Sequence, residues 1–177
     1  VTILGATGSV GRSAREVIAE NPERLVVAGV VSGHDVAGLA RVARESGARF
    51  AAIADESRAG ELRDALAGSG IRHGAGRSAV LDAVALDSDI VVSAISGAAG
   101  LEATFASLLP GRVVALANKE SLVCAGAAVM AQASRLGARI LPLDSEHNAL
   151  FQVLGDEPIS AVRSMTLTAS GGPFRTW

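Results

Sequence analysis

The chain has 177 residues and a mass of 17.8 kDa, enough for one domain at about 150 residues each, with room for part of a second. Hydrophobic residues make up 49% against 19% charged, which excludes disorder as the main state; 16 basic against 18 acidic residues leave a net charge of −2 and no electrostatic footprint for a nucleic-acid backbone. With 3% aromatic residues and no Tyr there is no base-stacking platform either, so any bound anion must be held locally and small aliphatic side chains must fill the core.

Residues 1–4 form a short apolar run ending at Gly5, and helical character over 9–20 stops at Asn21-Pro22, which gives strand, turn and helix. Residues 25–31 are a β-branched run closed by Ser32-Gly33, after which Asp35 can cap a helix that reaches Ser46 and stops at Gly47. Weaker units follow: a strand near 49–54, a helix near 57–67, an extended segment at 71–73 and a helix near 78–86. Three stronger units close the series: 90–95 with a helix after Gly97, 113–117 with a helix up to Leu136, and 140–143 with a helix near 148–154. Continuous apolar runs such as Val26-Val27-Ala28, Ile90-Val91-Val92 and Val113-Val114-Ala115 suit strands buried on both faces of a parallel sheet. The predicted fold class is therefore α/β, a Rossmann-like, doubly wound, mostly parallel sheet. After Pro158 the pattern changes, because 161–168 alternates Val162, Met165 and Leu167 with polar residues; this predicts a strand opening the first part of an α+β second domain.

One cysteine, Cys124, rules out an intrachain disulfide and a thiolate zinc site, and fits a reducing compartment, by default the cytoplasm. Its Ala-rich helical surroundings predict a core position rather than a nucleophile. The longest run of apolar residues and Gly, 122–131, falls short of the roughly 20 residues of a membrane span. The glycine turn follows residues 1–4 at once, unlike a signal peptide. The chain begins without Met inside a strand pattern and stops at Trp177, so a fragment is expected.

The turn Gly5-Ala6-Thr7-Gly8-Ser9-Val10-Gly11 lies between the first strand and helix, where glycines permit a tight turn and a close approach of pyrophosphate to the helix N-terminus. An ordinary βα turn is the alternative, and no Lys-Ser or Lys-Thr follows as a triphosphate loop requires. The second strand ends in Ser32, Gly33, His34 and Asp35. Ser32 and the Gly33 backbone suit a 2′-phosphate that Arg12 or Arg41 could reach, whereas Asp35 would repel it or cap a helix; NADP is favoured.

Polar clusters end two later strands: Asn118-Lys119-Glu120 and Asp144-Ser145-Glu146-His147. Asp144 and Glu146, spaced i and i+2 in an extended segment, would point to one side and grip Mg²⁺ or Mn²⁺ in an open site. The alternative is helix capping by Asp144 or Ser145 with Glu146 and His147 in the first turn. Lys119 at a helix start opposes the macrodipole and so reads as functional, while His147 suits a surface or supporting role. Ser170-Gly171-Gly172-Pro173 forms a turn whose N–H groups could meet an anion.

Together the glycine turn, Leu116-Ala117-Asn118-Lys119-Glu120-Ser121-Leu122-Val123, Pro142-Leu143-Asp144-Ser145-Glu146-His147-Asn148-Ala149-Leu150-Phe151-Gln152 and Leu167-Thr168-Ala169-Ser170-Gly171-Gly172-Pro173-Phe174 resemble the 1-deoxy-D-xylulose 5-phosphate reductoisomerase family over the whole chain. The resemblance implies an NADPH- and divalent-metal-dependent enzyme of the non-mevalonate isoprenoid pathway, normally a homodimer, cytoplasmic or, in plant-type organisms, plastidic. By matching motif, Thr7, Gly8, Ser9 and Val10 would line the NADPH pyrophosphate, Gly33, His34 and Asp35 the adenosine end, and Asn118 and Glu120 the cofactor near the reacting centre. Lys119 and Ser145 would contact substrate, Asp144 and Glu146 the metal, Glu146 also the substrate, and Ser170 the substrate phosphate; Lys119 and Glu146 would be catalytic. The implied division is 1–144 for the cofactor domain and 145–177 for the start of the catalytic domain. The family commonly has Asn where this chain has Asp35, and its third metal carboxylate, mobile flap and C-terminal helical domain would lie beyond Trp177. A semialdehyde dehydrogenase shares the glycine motif but needs a substrate-facing Cys, for which Cys124 is poorly placed; a non-catalytic sensor of nicotinamide redox state would not need Lys119, Asp144 and Glu146 at strand ends.

Overall fold

The structure, a computed structural model, describes residues 1–168. Seven parallel strands form one sheet: β1 (Thr2–Leu4), β2 (Gly29–Ser32), β3 (Phe50–Ile53), β4 (Arg72–Ala75), β5 (Ile90–Ser93), β6 (Val113–Leu116) and β7 (Arg139–Pro142). Their order is β4-β3-β2-β1-β5-β6-β7. The chain steps outward from β1 to β4, then returns to place β5 on the other side of β1. Because parallel crossovers are right-handed, that reversal sends the later helices to the opposite face.

One face carries α1 (Ser9–Glu20), α2 (Val36–Glu45) and α3 (Ala59–Ala65), packed through Val36, Leu39, Val42 and Leu62 onto Ile3, Val30, Ala51 and Ile53. On the other, α4 (Gly76–Val84) covers Leu4, Val31, Ala52 and Val91, while α5 (Leu101–Ala106) and α6 (Lys119–Leu136) enclose Val114 with Leu108, Val129 and Ala133. α7 (Ser145–Leu154) follows β7 and buries none of its residues fully. Beside α1, the α1 face of β5 and β6 stays partly open, where Val10, Val17, Ile90, Val92, Ala115 and Leu143 line an apolar recess of about 510 Å³. No helix among the described residues is long and apolar enough to cross a membrane.

The alternation of strands and helices agrees with the sequence, and the differences have local causes. The expected strand at 25–31 pairs only over Gly29–Ser32, because β1 offers three residues of ladder; Ala28 adds one bond to the Val1 carbonyl at 2.7 Å. The strand expected at 161–168 is absent: a single 3₁₀ turn spans Ile159–Ala161, and no described strand lies beside 162–168 to complete a ladder. Cys124 is exposed rather than in the core, since α6 breaks at Ala125 (φ −148°, ψ 30°) and its buried face is carried by Ser121, Val129 and Ala133.

Two devices hold the lower end, where strands begin. Arg112 is buried and donates to the Val84 and Leu86 carbonyls at 2.7 and 2.8 Å, closing the C-terminus of α4; burial pulls its pKa down, opposed by the charges of Asp87 and Asp89. α6 ends at Gly137 in the left-handed region, where the Ala138 N–H returns to the Ala133 carbonyl at 2.9 Å. Leu39 is fully enclosed between α2 and the sheet. Leu39→Ala is expected to lower stability by about 2–5 kcal/mol, read from a urea melt with unchanged m-value.

Candidate functional site

The crevice of an open α/β sheet lies beyond the carboxyl ends of the strands where the order reverses, here between β1 and β5. Gly5 leaves β1 at φ +87°, and both its N–H and that of Ala6 donate to the Val31 carbonyl, at 3.0 and 2.7 Å. A Cβ on Gly5 would sit 2.4 Å from the Ala94 oxygen, and one on Gly11 would sit 2.4 Å from the Gly5 oxygen. These two glycines are therefore fixed by contact, the first against the loop after β5 and the second against the turn itself. Gly8 differs, since its nearest neighbour would be the Gly5 oxygen at 3.4 Å, and it faces solvent.

Gly8 is also the N-cap of α1, with no side-chain cap. The first N–H groups of a helix have no partner within it, so the turn presents free donors and the positive end of the helix dipole to the crevice. Thr7 hydrogen-bonds to Ser32 through the hydroxyls at 2.9 Å, tying the turn to the end of β2. Gly33, His34 and Asp35 follow, all exposed, and the space at Gly33 is open. Of the two roles open to Asp35, the structure shows the cap: its Oδ1 accepts the Gly38 N–H at 2.9 Å, and its Oδ2 lies against the Gly38 Cα side. Neither Arg12 nor Arg41 hydrogen-bonds to this turn, and Arg12 instead lines a recess between α1 and α2.

The second group lies at the ends of β6 and β7. Asp144 and Glu146 are not in an extended segment, as their i, i+2 spacing suggested; Asp144 is the N-cap of α7 and Glu146 sits in its first turn. The expected helix at 148–154 begins at Ser145, because the Asp144 Oδ1 accepts the His147 N–H at 3.0 Å and Oδ2 meets the His147 Nδ1 at 2.7 Å. Ser145 donates to Glu146 Oε2 at 2.9 Å. Burial raises the pKa of Asp144, but hydrogen bonds from the His147 ring and N–H, with the charges of His147 and Lys119, leave it below the usual carboxylate range. Glu146 is lowered by its own N–H and by Ser145, aided by Lys119, against some desolvation and the charge of Asp144. Exposed Lys119, on α6, is thus brought within electrostatic reach of both carboxylates on α7.

Asn118 and Glu120 flank Lys119, and Glu120 is half-buried. Asn118 is buried at 1% exposure, and all four of its side-chain hydrogen-bonding positions are occupied within the protein. Its Oδ1 accepts from the Ser121 N–H and hydroxyl; its Nδ2 donates to the carbonyls of Ile95 and Gly97 at 2.5 and 2.8 Å. The sequence reading missed the links to Ile95 and Gly97. Asn followed three residues later by Ser signals a cap, but nothing local indicates that the same amide reaches a loop 21 to 23 residues earlier. Ser170 lies outside the described residues.

Among the described residues no three His, Cys, Asp or Glu side chains converge on one point. Two adjacent carboxylates near a strand end still fit a hard divalent cation in an open site, the oxygen donors such ions take. The uncapped α1 and the open space at Gly8 and Gly33 fit a dinucleotide across the switch point.

A doubly wound parallel sheet with a glycine turn at its switch point defines a Rossmann-like dinucleotide-binding domain. The profile of "1-deoxy-D-xylulose 5-phosphate reductoisomerase" matches residues 1–126 and that of the enzyme's C-terminal domain matches residues 140–177, so the chain belongs to this family. Among its relatives, the 1-deoxy-D-xylulose 5-phosphate reductoisomerases of Rhodopseudomonas palustris (strain TIE-1) and Bradyrhizobium sp. (strain ORS 278) are 54% and 52% identical over all 177 residues. The chain spans 44% of the length of each. The Zymomonas mobilis reductoisomerase in complex with NADPH superposes with a TM-score of 0.93 at 44% identity, covering 99% of this chain and 46% of that one. A reductoisomerase bound to NADPH, fosmidomycin and magnesium aligns with a TM-score of 0.80 at 36% identity, over 85% of this chain and 38% of that one.

Asp144→Ala is expected to cost about 1 kcal/mol through loss of the α7 cap. Because the folded pKa is lowered, the advantage of the parent over the variant should be full above the unfolded carboxylate pKa and fade as pH falls through the folded one. Thermal melts of both proteins from pH 7 down to pH 3 check this; a difference that does not shrink in acid contradicts it.

Proposed function

We propose that the chain is the cofactor-binding part, with the opening of the catalytic part, of a reductoisomerase that converts 1-deoxy-D-xylulose 5-phosphate to 2-C-methyl-D-erythritol 4-phosphate in the non-mevalonate isoprenoid pathway. The observation that carries this reading is the open N-terminus of α1 beside Gly8, in a chain of this family and with the Lys119, Asp144 and Glu146 group at neighbouring strand ends. The complexes of the similar structures with NADPH and with magnesium support the choice of cofactors. The division falls after Asp144, where the sheet ends and a weakly buried helix begins. The whole protein acts as a homodimer in a reducing compartment.

When bound, NADPH supplies the hydride, and Mg²⁺ or Mn²⁺ supplies a Lewis acid for the substrate oxygens. Backbone donors of Thr7, Ser9 and Val10 hold the pyrophosphate beside Gly8, whose own N–H is taken by the Gly5 carbonyl at 3.1 Å and which serves by leaving the space open, and Gly33, His34 and Asp35 line the adenosine end. The Asp35 carboxylate is neutralised in part by the N-terminus of α2, which is why a charge tolerates the neighbourhood of a 2′-phosphate. Asn118 and Glu120 serve the cofactor near the reacting centre. Asp144 and Glu146 hold the metal with further ligands outside the described residues. Lys119 and Ser145 hold the substrate, Lys119 with a positive charge where negative charge develops, and Ser145 also fixes Glu146 through its hydroxyl. Ser170 is assigned to the substrate phosphate.

A fluorescence titration of the 177-residue chain is expected to show binding of NADPH in preference to NADH, with no turnover of ketose phosphate. Absence of binding, or preference for NADH, contradicts the cofactor assignment. In the full-length protein, Asp144→Ala combined with Glu146→Ala is expected to weaken Mn²⁺ at least about tenfold, the loss of two charged ligands. Unchanged Mn²⁺ affinity contradicts the metal assignment.

A further inference from the structure

We propose that Asn118 is a positioning residue that shapes the crevice wall at Ile95–Gly97 from behind, and that its amide is itself held in place by the buried hydroxyls of Ser121, Thr104 and Ser93. This rests on the cofactor reading above and deepens it, by assigning the nicotinamide half of the cofactor to this wall. Residues 94–97 follow β5 directly at the switch point, opposite the glycine turn, and belong to no helix or strand. The Ala94 N–H is tied to the Leu4 carbonyl at 2.9 Å; beyond it, the carbonyls of Ile95 and Gly97 are both gathered by the one Asn118 amide.

The direction of that amide is set by chemistry. Ser121 offers a backbone N–H, at 2.8 Å, which only the Asn118 oxygen can accept, so the NH₂ group must face the two carbonyls. Behind it runs a buried line of hydroxyls: Ser121 gives its one proton to Asn118 Oδ1, so the Thr104 hydroxyl, 3.4 Å away, donates to Ser121 and in turn accepts from Ser93 at 2.7 Å. Ser93, Thr104 and Ser121 are each fully buried, so these groups have no water to turn to. With the Ile95 carbonyl turned inward and a trans peptide bond, the Ser96 N–H points the other way, and Ser96 is exposed. Gly100 completes the arrangement, since a Cβ there would lie 2.7 Å from the Ile95 oxygen and 2.8 Å from the Asn118 Nδ2.

Two variants separate this role from capping of α6. Asn118→Asp keeps an oxygen for the Ser121 N–H and so keeps the cap, but cannot donate to Ile95 and Gly97. Gly100→Ala pushes the same contact apart without adding charge. In the full-length protein, both are expected to weaken NADPH about tenfold, the worth of one or two hydrogen bonds, while adenosine 2′,5′-bisphosphate, which reports the adenosine half alone, binds as in the parent. Amide exchange at residues 95–98 should rise in both variants without any ligand. Equal loss of both ligands, or unchanged NADPH binding in folded variants, overturns the proposal. Should either variant fail to melt cooperatively, Thr104→Val and Thr104→Ser decide: selective loss of NADPH with Val and recovery with Ser supports it, and equal behaviour overturns it. If the parent binds neither NADPH nor the bisphosphate, the cofactor reading itself fails and this proposal falls with it, whereas normal parent binding with insensitive variants condemns the positioning role alone.

Discussion

The contact on which the rest of the site depends is between two stretches of backbone: the turn at Gly5 and the carbonyl of Ala94, so close that no Cβ fits between them. β1 lies between β2 and β5, and the chain leaving it must turn at once beneath α1 while the loop after β5 passes alongside. Removing the side chain from residue 5 lets the turn and loop touch, and removing it from residue 11 lets α1 lie down on the turn. The floor of the crevice is consequently made of main chain, which leaves its N–H groups near enough to a ligand to matter. A core of small aliphatic residues suits this architecture, because thin side chains let helices approach the sheet closely.

Helix starts at the rim differ in their caps, and α4, which begins after Ala75, has no side-chain cap, like α1. α2, α6 and α7 begin with Asp35, Asn118 and Asp144, each accepting an N–H of the first turn. α1 begins with Gly8 and has no such acceptor. A glycine in place of a capping side chain leaves a helix weaker by only about a few tenths of a kcal/mol, and an anion at the same place offsets that loss. The acidic residues that look misplaced beside a phosphate or a metal are thus explained first by the helices they start. Their charges are then available to, and constrained within, whatever chemistry the rim performs.

The βα alternation, the sheet class and the glycine turn were legible in the sequence because burial on both faces writes itself as unbroken apolar runs such as Ile90-Val91-Val92. The strand predicted at 161–168 was not a strand because alternation describes a face and not a partner, and pairing is decided by residues elsewhere in the chain. Asp144 and Glu146 were read with the period of a strand, whereas the cap that Asp144 forms starts the helix at Ser145, three residues sooner than expected, and puts Glu146 in its first turn. Cys124 looked buried by its Ala-rich surroundings, but the break at Ala125 changes which side of α6 meets the sheet. The links from Asn118 to Ile95 and Gly97 were illegible for a different reason: they join positions more than twenty residues apart through groups every residue type possesses.

Gly137 offers a contrast with Gly5. It too has positive φ, ending α6 at the lower edge of the sheet, yet nothing lies within 4 Å of the place a Cβ would take. Asparagine, which tolerates the left-handed region, fits there at a cost of about 1 kcal/mol, while at Gly5 no other amino acid fits at any comparable cost. Residue 137 can therefore drift in sequence and residue 5 cannot. Descendants of this chain would change the end of α6 long before they altered the turn above it.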